Sequence, residues 1–197
     1  MTERERAEAL KQRQASRLPW HAPPHFPAGQ LTYMLTAACF EHASIMNTSN
    51  RLTAFEYLLI GGLAEKEWAK VCAWVVLPNH YHVLVSVDLH LFSGWIRRVH
   101  NGTATEWNRV DRIPGRKVWH RFSDRLIRSD RHYWASVNYI HGNPVKHGHV
   151  GKAEDWPCSS IHRYLDDIGK EELMDMVKQY PVDDYGKGWD ESFVVPS

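Results

Sequence analysis

The stretch "WVVLPNHYHVLVSV", Trp74–Val87, decides how the rest of the chain is read. Two apolar runs, "VCAWVVL" (71–77) and "HYHVLVSV" (80–87), flank the dipeptide Pro78–Asn79, and strand formers on either side of such a junction predict a β-hairpin. Residues two apart on a strand face the same way, so His80 and His82 project together with Leu84 beyond them. Tyr81, Val83 and Val85 then face the opposite side. Two imidazoles in an apolar strand are costly to leave unsatisfied. Either they share a divalent metal, or each is hydrogen-bonded separately at the strand end, and the pair alone leaves both readings open. A shared metal would need a third ligand from elsewhere in the chain.

Working outward, "LTYMLTAACF" (31–40) reads as a strand, and "RLTAFEYLLIGGLAEKEWAK" (51–70) as an amphipathic helix built on Leu52, Phe55, Leu59 and Leu63. Gly61–Gly62 weakens that helix. Downstream, "LHLFSGWIRRVHNGTATEWNRV" (89–110) sets Leu91, Trp95, Val99 and Trp107 against Arg97, Arg98 and Arg109 at helical spacing. A fourth strand is expected in "VWHRFSDRLIR" (118–128). A last helix follows in "SDRHYWASVNYIHGNP" (129–144), capped by Ser129 or Asp130 and ended by Pro144. The order β-α-β-β-α-β-α predicts an α+β fold: a ferredoxin-like (βαββαβ) antiparallel sheet with helices on one face, plus a late helix and polar extensions. Residues 1–22 form an N-terminal arm, 23–165 the globular domain and 166–197 an acidic extension.

A chain of 197 residues suits one such domain. No apolar run is long enough to span a membrane, and the charged N-terminus lacks a signal-peptide core, so a cytoplasmic protein is expected. Cys39, Cys72 and Cys158 are scattered and read as reduced core thiols. The net charge of +1 hides opposed blocks. Residues 95–152 carry twelve basic and four acidic side chains, whereas 153–197 carry four basic and eleven acidic. The basic block reads either as a footprint for a polyanion or as a solvated helix face balanced by the acidic tail. A tail that folds back on the basic surface would compete with nucleic acid. Trp95, Trp107 and Trp134 read as core rather than as platforms for bases.

On the last helix, Tyr139 and Asn143 are four residues apart and so share a face. The Asn143 amide oxygen could serve as a third ligand for a hard cation. The Tyr139 phenol beside it is a possible nucleophile, although a reference pKa of about 10 means that it needs help at neutral pH.

The motifs "LPNHYHVLV", "YIHGNPVKHG" and "DWPCSSIHRY", with the segment "PPHFPAGQLTYMLT" before them, resemble the single-tyrosine HUH (IS200-like) transposases. The chain is most similar to the REP-associated tyrosine transposases of bacteria, from about Pro23 to Tyr164. That resemblance implies a DNA transposase and single-strand endonuclease, nucleoid-associated in a bacterial cytoplasm, that cleaves and rejoins single-stranded DNA at hairpin-forming repeats. It implies Tyr139 as the catalytic nucleophile that forms a 5′-phosphotyrosine, and His80, His82 and Asn143 as ligands of Mg²⁺ or Mn²⁺. The DNA contacts would fall on Arg97, Arg98, Arg121, Arg125, Arg128, Arg131 and Lys146 of the basic block, in a monomer or homodimer. The alternative is a domesticated, catalytically inactive nucleic-acid-binding module on the same fold. Relatives often have Trp-Gln where this chain has Trp119–His120, and His120 reads as a surface histidine or a substitute polar contact.

Overall fold

The computed structural model describes residues 31–182 and residue 185. The N-terminal arm and most of the chain after 182 therefore lie outside the described residues. The elements run β1 (Leu31–Ala38), α1 (Ser49–Glu56), β2 (Ala69–Val76), β3 (His80–Val87), α2 (Leu89–Asp111), β4 (Ser123–Leu126), α3 (Asp130–Lys146), α4 (Ile161–Ile168) and α5 (Lys170–Gln179). The four strands form one sheet in the order β2-β3-β1-β4, and every pairing is antiparallel. This is the ferredoxin-like α+β arrangement expected from the order of elements.

The hairpin closes tightly, with the Leu77 N–H donating to the His80 carbonyl at 2.8 Å across Pro78–Asn79. β3 lies second in the sheet and is buried along its whole length. Such a strand needs cover on both faces. On one face the Tyr81 ring lies 5.4 Å from Phe55 of α1, and its hydroxyl is 3.2 Å from His100 Nε2 of α2. On the other face His80 and His82 meet α3. The helices between the strands thus share one face, and the late helix takes the opposite one.

Local chemistry explains where the elements begin and end. Asp88 caps α2 by accepting from the His90 and Leu91 amides, and Ser129 caps α3 by accepting from His132. The expected helix over 51–70 stops earlier: α1 widens into a π-type turn at Tyr57–Gly61, ends in Gly62–Ala64, and the chain enters β2 at Ala69. The fourth strand is only four residues long; Trp119 adds an isolated bridge to Cys39. Pro144 does not end α3, which continues to Lys146. The missing proline N–H forfeits one bond, but His147 donates to the Asn143 carbonyl and Gly148, in the left-handed region, donates to that of Val145. Cys39, Cys72 and Cys158 are free and buried, and Trp95, Trp107 and Trp134 belong to the core. Among the described residues, no helix is long and apolar enough to cross a membrane.

Two features of this frame give measurable consequences. A Cβ on Gly62 would stand 2.9 Å from Trp95 Cζ2, whereas one on Gly142 in α3 would meet nothing within 4 Å. Gly62→Ala should therefore cost about 1–3 kcal/mol in chemical denaturation through overpacking. Gly142→Ala should add roughly 0.5–1 kcal/mol by removing helix-interior glycine entropy. The second feature is Asp111, at the end of α2, which pairs with both Arg51 and Arg116 and links α1 to the loop before β4. Hydrogen bonds from Arg51, then from Arg116, hold its carboxyl down at about 2, against an ordinary value of 3.8. Its stabilising contribution is complete above about pH 4 and is lost as pH falls toward 2. Denaturation midpoints measured across that window should fall less steeply in Asp111→Asn than in the natural protein.

Candidate functional site

The site grows from the strand register. β1 and β3 pair so that Thr36 lies opposite His82 and Ala38 opposite His80. That pairing brings Thr36 Oγ1 within 2.6 Å of His82 Nδ1. His80 is held from the turn before it: its Nδ1 lies 2.7 Å from Asn79 Oδ1. The Asn79 amide is itself oriented, because its Nδ2 donates to the His42 carbonyl at 3.3 Å. The His42 carbonyl is aimed by a bend in which Glu41 and His42 both take left-handed backbone angles, φ 54° and 52°. For residues other than glycine that conformation costs about 1–2 kcal/mol each. The bend is braced by Phe40 donating to the Val118 carbonyl at 2.7 Å, and by the Glu41 amide donating to His120 Nε2 at 3.2 Å. His120 is thus an exposed side chain with a backbone-bracing bond.

α3 completes the site from the other side. Its residues Tyr139 and Asn143, one turn apart, both face β3 and are buried. Asn143 Oδ1 lies 3.0 Å from His80 Nε2, and the Tyr139 ring lies 5.1 Å from the His82 ring, edge to face. The His80 and His82 ring centroids are also 5.1 Å apart. All four sequence-identified side chains therefore converge within a single chain.

The hydrogen-bond inventory defines what the cluster can accept. His80 Nδ1 lies 2.7 Å from Asn79 Oδ1 and Nε2 lies 3.0 Å from Asn143 Oδ1. Both oxygens only accept, so a neutral His80 donates to one of them, and a proton on the nearer, Asn79 side leaves the lone pair on Nε2. Two lone-pair atoms 3.0 Å apart suit a cation between them, and cis ligands of an octahedron with bonds of about 2.1 Å are separated by about that distance. Asn143 Nδ2 is buried without a hydrogen-bond partner among the described residues, so its carbonyl oxygen is the end of the amide that is engaged. Two imidazole nitrogens with one amide oxygen are not the closed four-ligand set of a structural zinc, and they leave positions open on a divalent cation. Among the described residues no group of three His, Cys, Asp or Glu could hold a metal, because the third donor here is an amide.

The positive side chains divide into two sets. Lys146, in the last turn of α3, holds its Nζ 5.0 Å from the Tyr139 ring centroid. His147 follows it, with its ring 4.9 Å from that of His80. Arg121, Arg125, Arg128 and Arg131 are exposed along and around β4 and the start of α3. Arg97 and Arg98 are also exposed, but on α2, the helix that covers the opposite face of the sheet from the histidine pair. The Tyr185 ring packs 5.6 Å from Tyr139, and its hydroxyl is bonded to Ser136.

The seating of α3 uses residues that the sequence reading passed over. The buried hydroxyl of Ser160 lies 2.9 Å from His141 Nε2 and accepts from the Trp74 amide at 2.9 Å, joining α3 to β2. Burial pushes the His141 imidazole down to about 3, so it is neutral in this contact. Asn138 Nδ2 donates to the carbonyls of Met176 and Tyr180, which fastens the end of α5 to the same helix. Ser160→Ala should destabilise the protein by about 1–3 kcal/mol in denaturant titration, because the Trp74 amide and His141 each lose a buried partner.

No protein-family model matches the chain. It is 31% identical over 100 residues to the REP-associated tyrosine transposase of Escherichia coli (strain K12), a match covering 48% of this chain and 55% of that protein. It is 49% identical over 99 residues to the putative REP-associated tyrosine transposase of Haemophilus influenzae, covering 45% of this chain and 56% of the relative. The chain thus spans about half the length of the curated relatives it matches. A solved structure of a REP-associated tyrosine transposase bound to a REP hairpin superposes with a TM-score of 0.55 at 25% identity, over 75% of this chain and 86% of that one.

Proposed function

We propose, for a chain that shares sequence and fold with the REP-associated tyrosine transposases, that it cleaves and rejoins single-stranded DNA at hairpin-forming repeats. The observation that carries this reading is the convergence of Tyr139 and Asn143 on His82 and His80, from opposite sides of one buried interface. A module that only bound nucleic acid would have no use for a phenol, an amide and two imidazoles gathered at one point. A REP-associated tyrosine transposase of similar fold was solved with a REP hairpin bound, which supports a hairpin as the partner.

His80 Nε2, His82 Nε2 and Asn143 Oδ1 would hold Mg²⁺ or Mn²⁺. Bound there, the cation would supply Lewis-acid polarisation of a phosphate oxygen and offset charge in the transition state. Tyr139 Oη attacks phosphorus as the phenolate; the P–O3′ bond breaks, the 3′ oxygen takes up a proton, and the 5′ phosphate stays on the tyrosine. Rejoining runs the same path backward: a 3′ hydroxyl attacks the phosphotyrosine and returns the electron pair to Tyr139. The covalent bond conserves the energy of the phosphodiester, so no nucleotide cofactor is needed. Thr36 and Asn79 hold the two imidazoles in place, which confines the phosphate to one approach. Lys146 places a positive charge beside the tyrosine ring, where the phosphate must enter. Arg121, Arg125, Arg128 and Arg131 are in position to carry strand phosphates toward α3, whereas Arg97 and Arg98 would serve DNA that reaches around to α2.

Single-stranded DNA carrying a hairpin, incubated with the protein and Mn²⁺ and run on a denaturing protein gel, should give a covalent adduct. Tyr139→Phe should lower adduct formation by about 10³-fold or more while hairpin binding survives. His80→Ala should also lose cleavage, with weakened Mn²⁺ binding. An adduct that persists in Tyr139→Phe would place the nucleophile elsewhere.

A further inference from the structure

We propose that Asn79 is a positioning residue that sets the tautomer of His80, and that the left-handed bend at Glu41–His42 exists to aim it. This inference rests on the reading of His80 as a cation ligand. Three links carry it. The His42 carbonyl accepts from Asn79 Nδ2, which settles which end of the amide faces the histidine. Asn79 Oδ1, held 2.7 Å from His80 Nδ1, can only accept and so favours a proton on that nitrogen. That tautomer puts the lone pair on Nε2, which faces Asn143 Oδ1 at 3.0 Å, an oxygen that would accept the proton in the other tautomer. Were the tautomer reversed, the Nδ1 lone pair would face the Asn79 oxygen and the Nε2 proton would occupy the place where a cation binds.

The position of Asn79 adds a reason for the strained backbone. Asn79 sits in the two-residue turn before β3, and its carbonyl accepts from the Cys39 amide at 2.6 Å. The end of β1 therefore grips the turn by its main chain, and the next residues of the same segment, Glu41 and His42, are folded back so that a carbonyl can reach its side chain. A turn asparagine needs neither contact to make a hairpin. Both contacts bear on the orientation of one amide, and that amide touches the histidine. His82 is held differently, by the Thr36 hydroxyl, which can donate or accept and so fixes the ring without dictating its tautomer. The two ligands are thus unequal: His80 is preset and His82 adapts.

The test uses the full chain labelled with ¹⁵N-histidine, free of metal at pH 8, with the His80 tautomer read from its ring nitrogen shifts. The natural protein should show Nδ1 protonated and Nε2 bare. Asn79→Ala should give a mixture of tautomers and weaken Mn²⁺ binding, followed by electron paramagnetic resonance, about 10- to 100-fold. Asn79→Asp loses the donation to the His42 carbonyl but still accepts from Nδ1, so it should keep the tautomer and hold affinity within about 10-fold of natural. The proposal is overturned if metal-free natural protein shows Nε2 protonated, a reading that needs no variant to fold. It is also overturned if Asn79→Ala retains both tautomer and Mn²⁺ affinity. Equal Mn²⁺ binding by natural protein and His80→Ala would instead remove the ligand reading itself, and the proposal with it.

Discussion

The structure depends on the antiparallel pairing of β1 with β3 and on the fact that β3 is covered on both faces. Because β3 is sealed, every polar atom on it must find a partner within the protein or through a ligand. The pairing register answers part of that demand by placing Thr36 across from His82. The turn answers another part through Asn79. The Nε2 side of His80 meets Asn143 of α3, a helix that arrives more than forty residues later in the chain. A one-residue slip of β3 would turn both imidazoles into the Tyr81 face, against α1 and α2, and would dismantle the site. Fold and site are thus one constraint seen at two scales.

That constraint also explains why α3 is fastened so thoroughly. The helix must present Tyr139 to His82 and Asn143 to His80 at the same time, so its rotation and its height along β3 are both fixed. Ser160 ties its middle to β2 through His141, and Asn138 ties its outer side to α5. The segment from α4 through α5 therefore serves as a buttress for the tyrosine helix as well as carrying acidic charge, and Leu173 and Met176 are buried in doing so. Hydrogen bonds of this kind set geometry more than they add stability, since each is worth about 1 kcal/mol net.

Much of this was legible in the sequence, for identifiable reasons. Period-two alternation put His80 and His82 on one face, and the i, i+4 spacing put Tyr139 and Asn143 on another. The order of apolar runs gave the sheet. What could not be read was anything set by register or by side chains meeting across elements. Thr36 is an ordinary strand threonine until pairing sets it opposite His82. Asn79 looked like turn chemistry alone, because proline-asparagine is sufficient for a turn. Pro144 was a sound stop signal locally, but bonds beyond it, from His147 and Gly148, carried the helix two residues further. The basic block was visible as charge but not as two surfaces, since α2 and β4 lie on different parts of the sheet. Tyr185 carried no signal that would have placed its ring against Tyr139.

The most direct measurement is the anomalous scattering of manganese in crystals of the protein soaked with Mn²⁺. The account predicts a single strong peak at bonding distance from His80 Nε2, His82 Nε2 and Asn143 Oδ1, with the Tyr139 hydroxyl of the same chain beside it. No peak between the two imidazoles at saturating Mn²⁺, or a peak there with the Tyr139 ring turned away from it, would contradict the account.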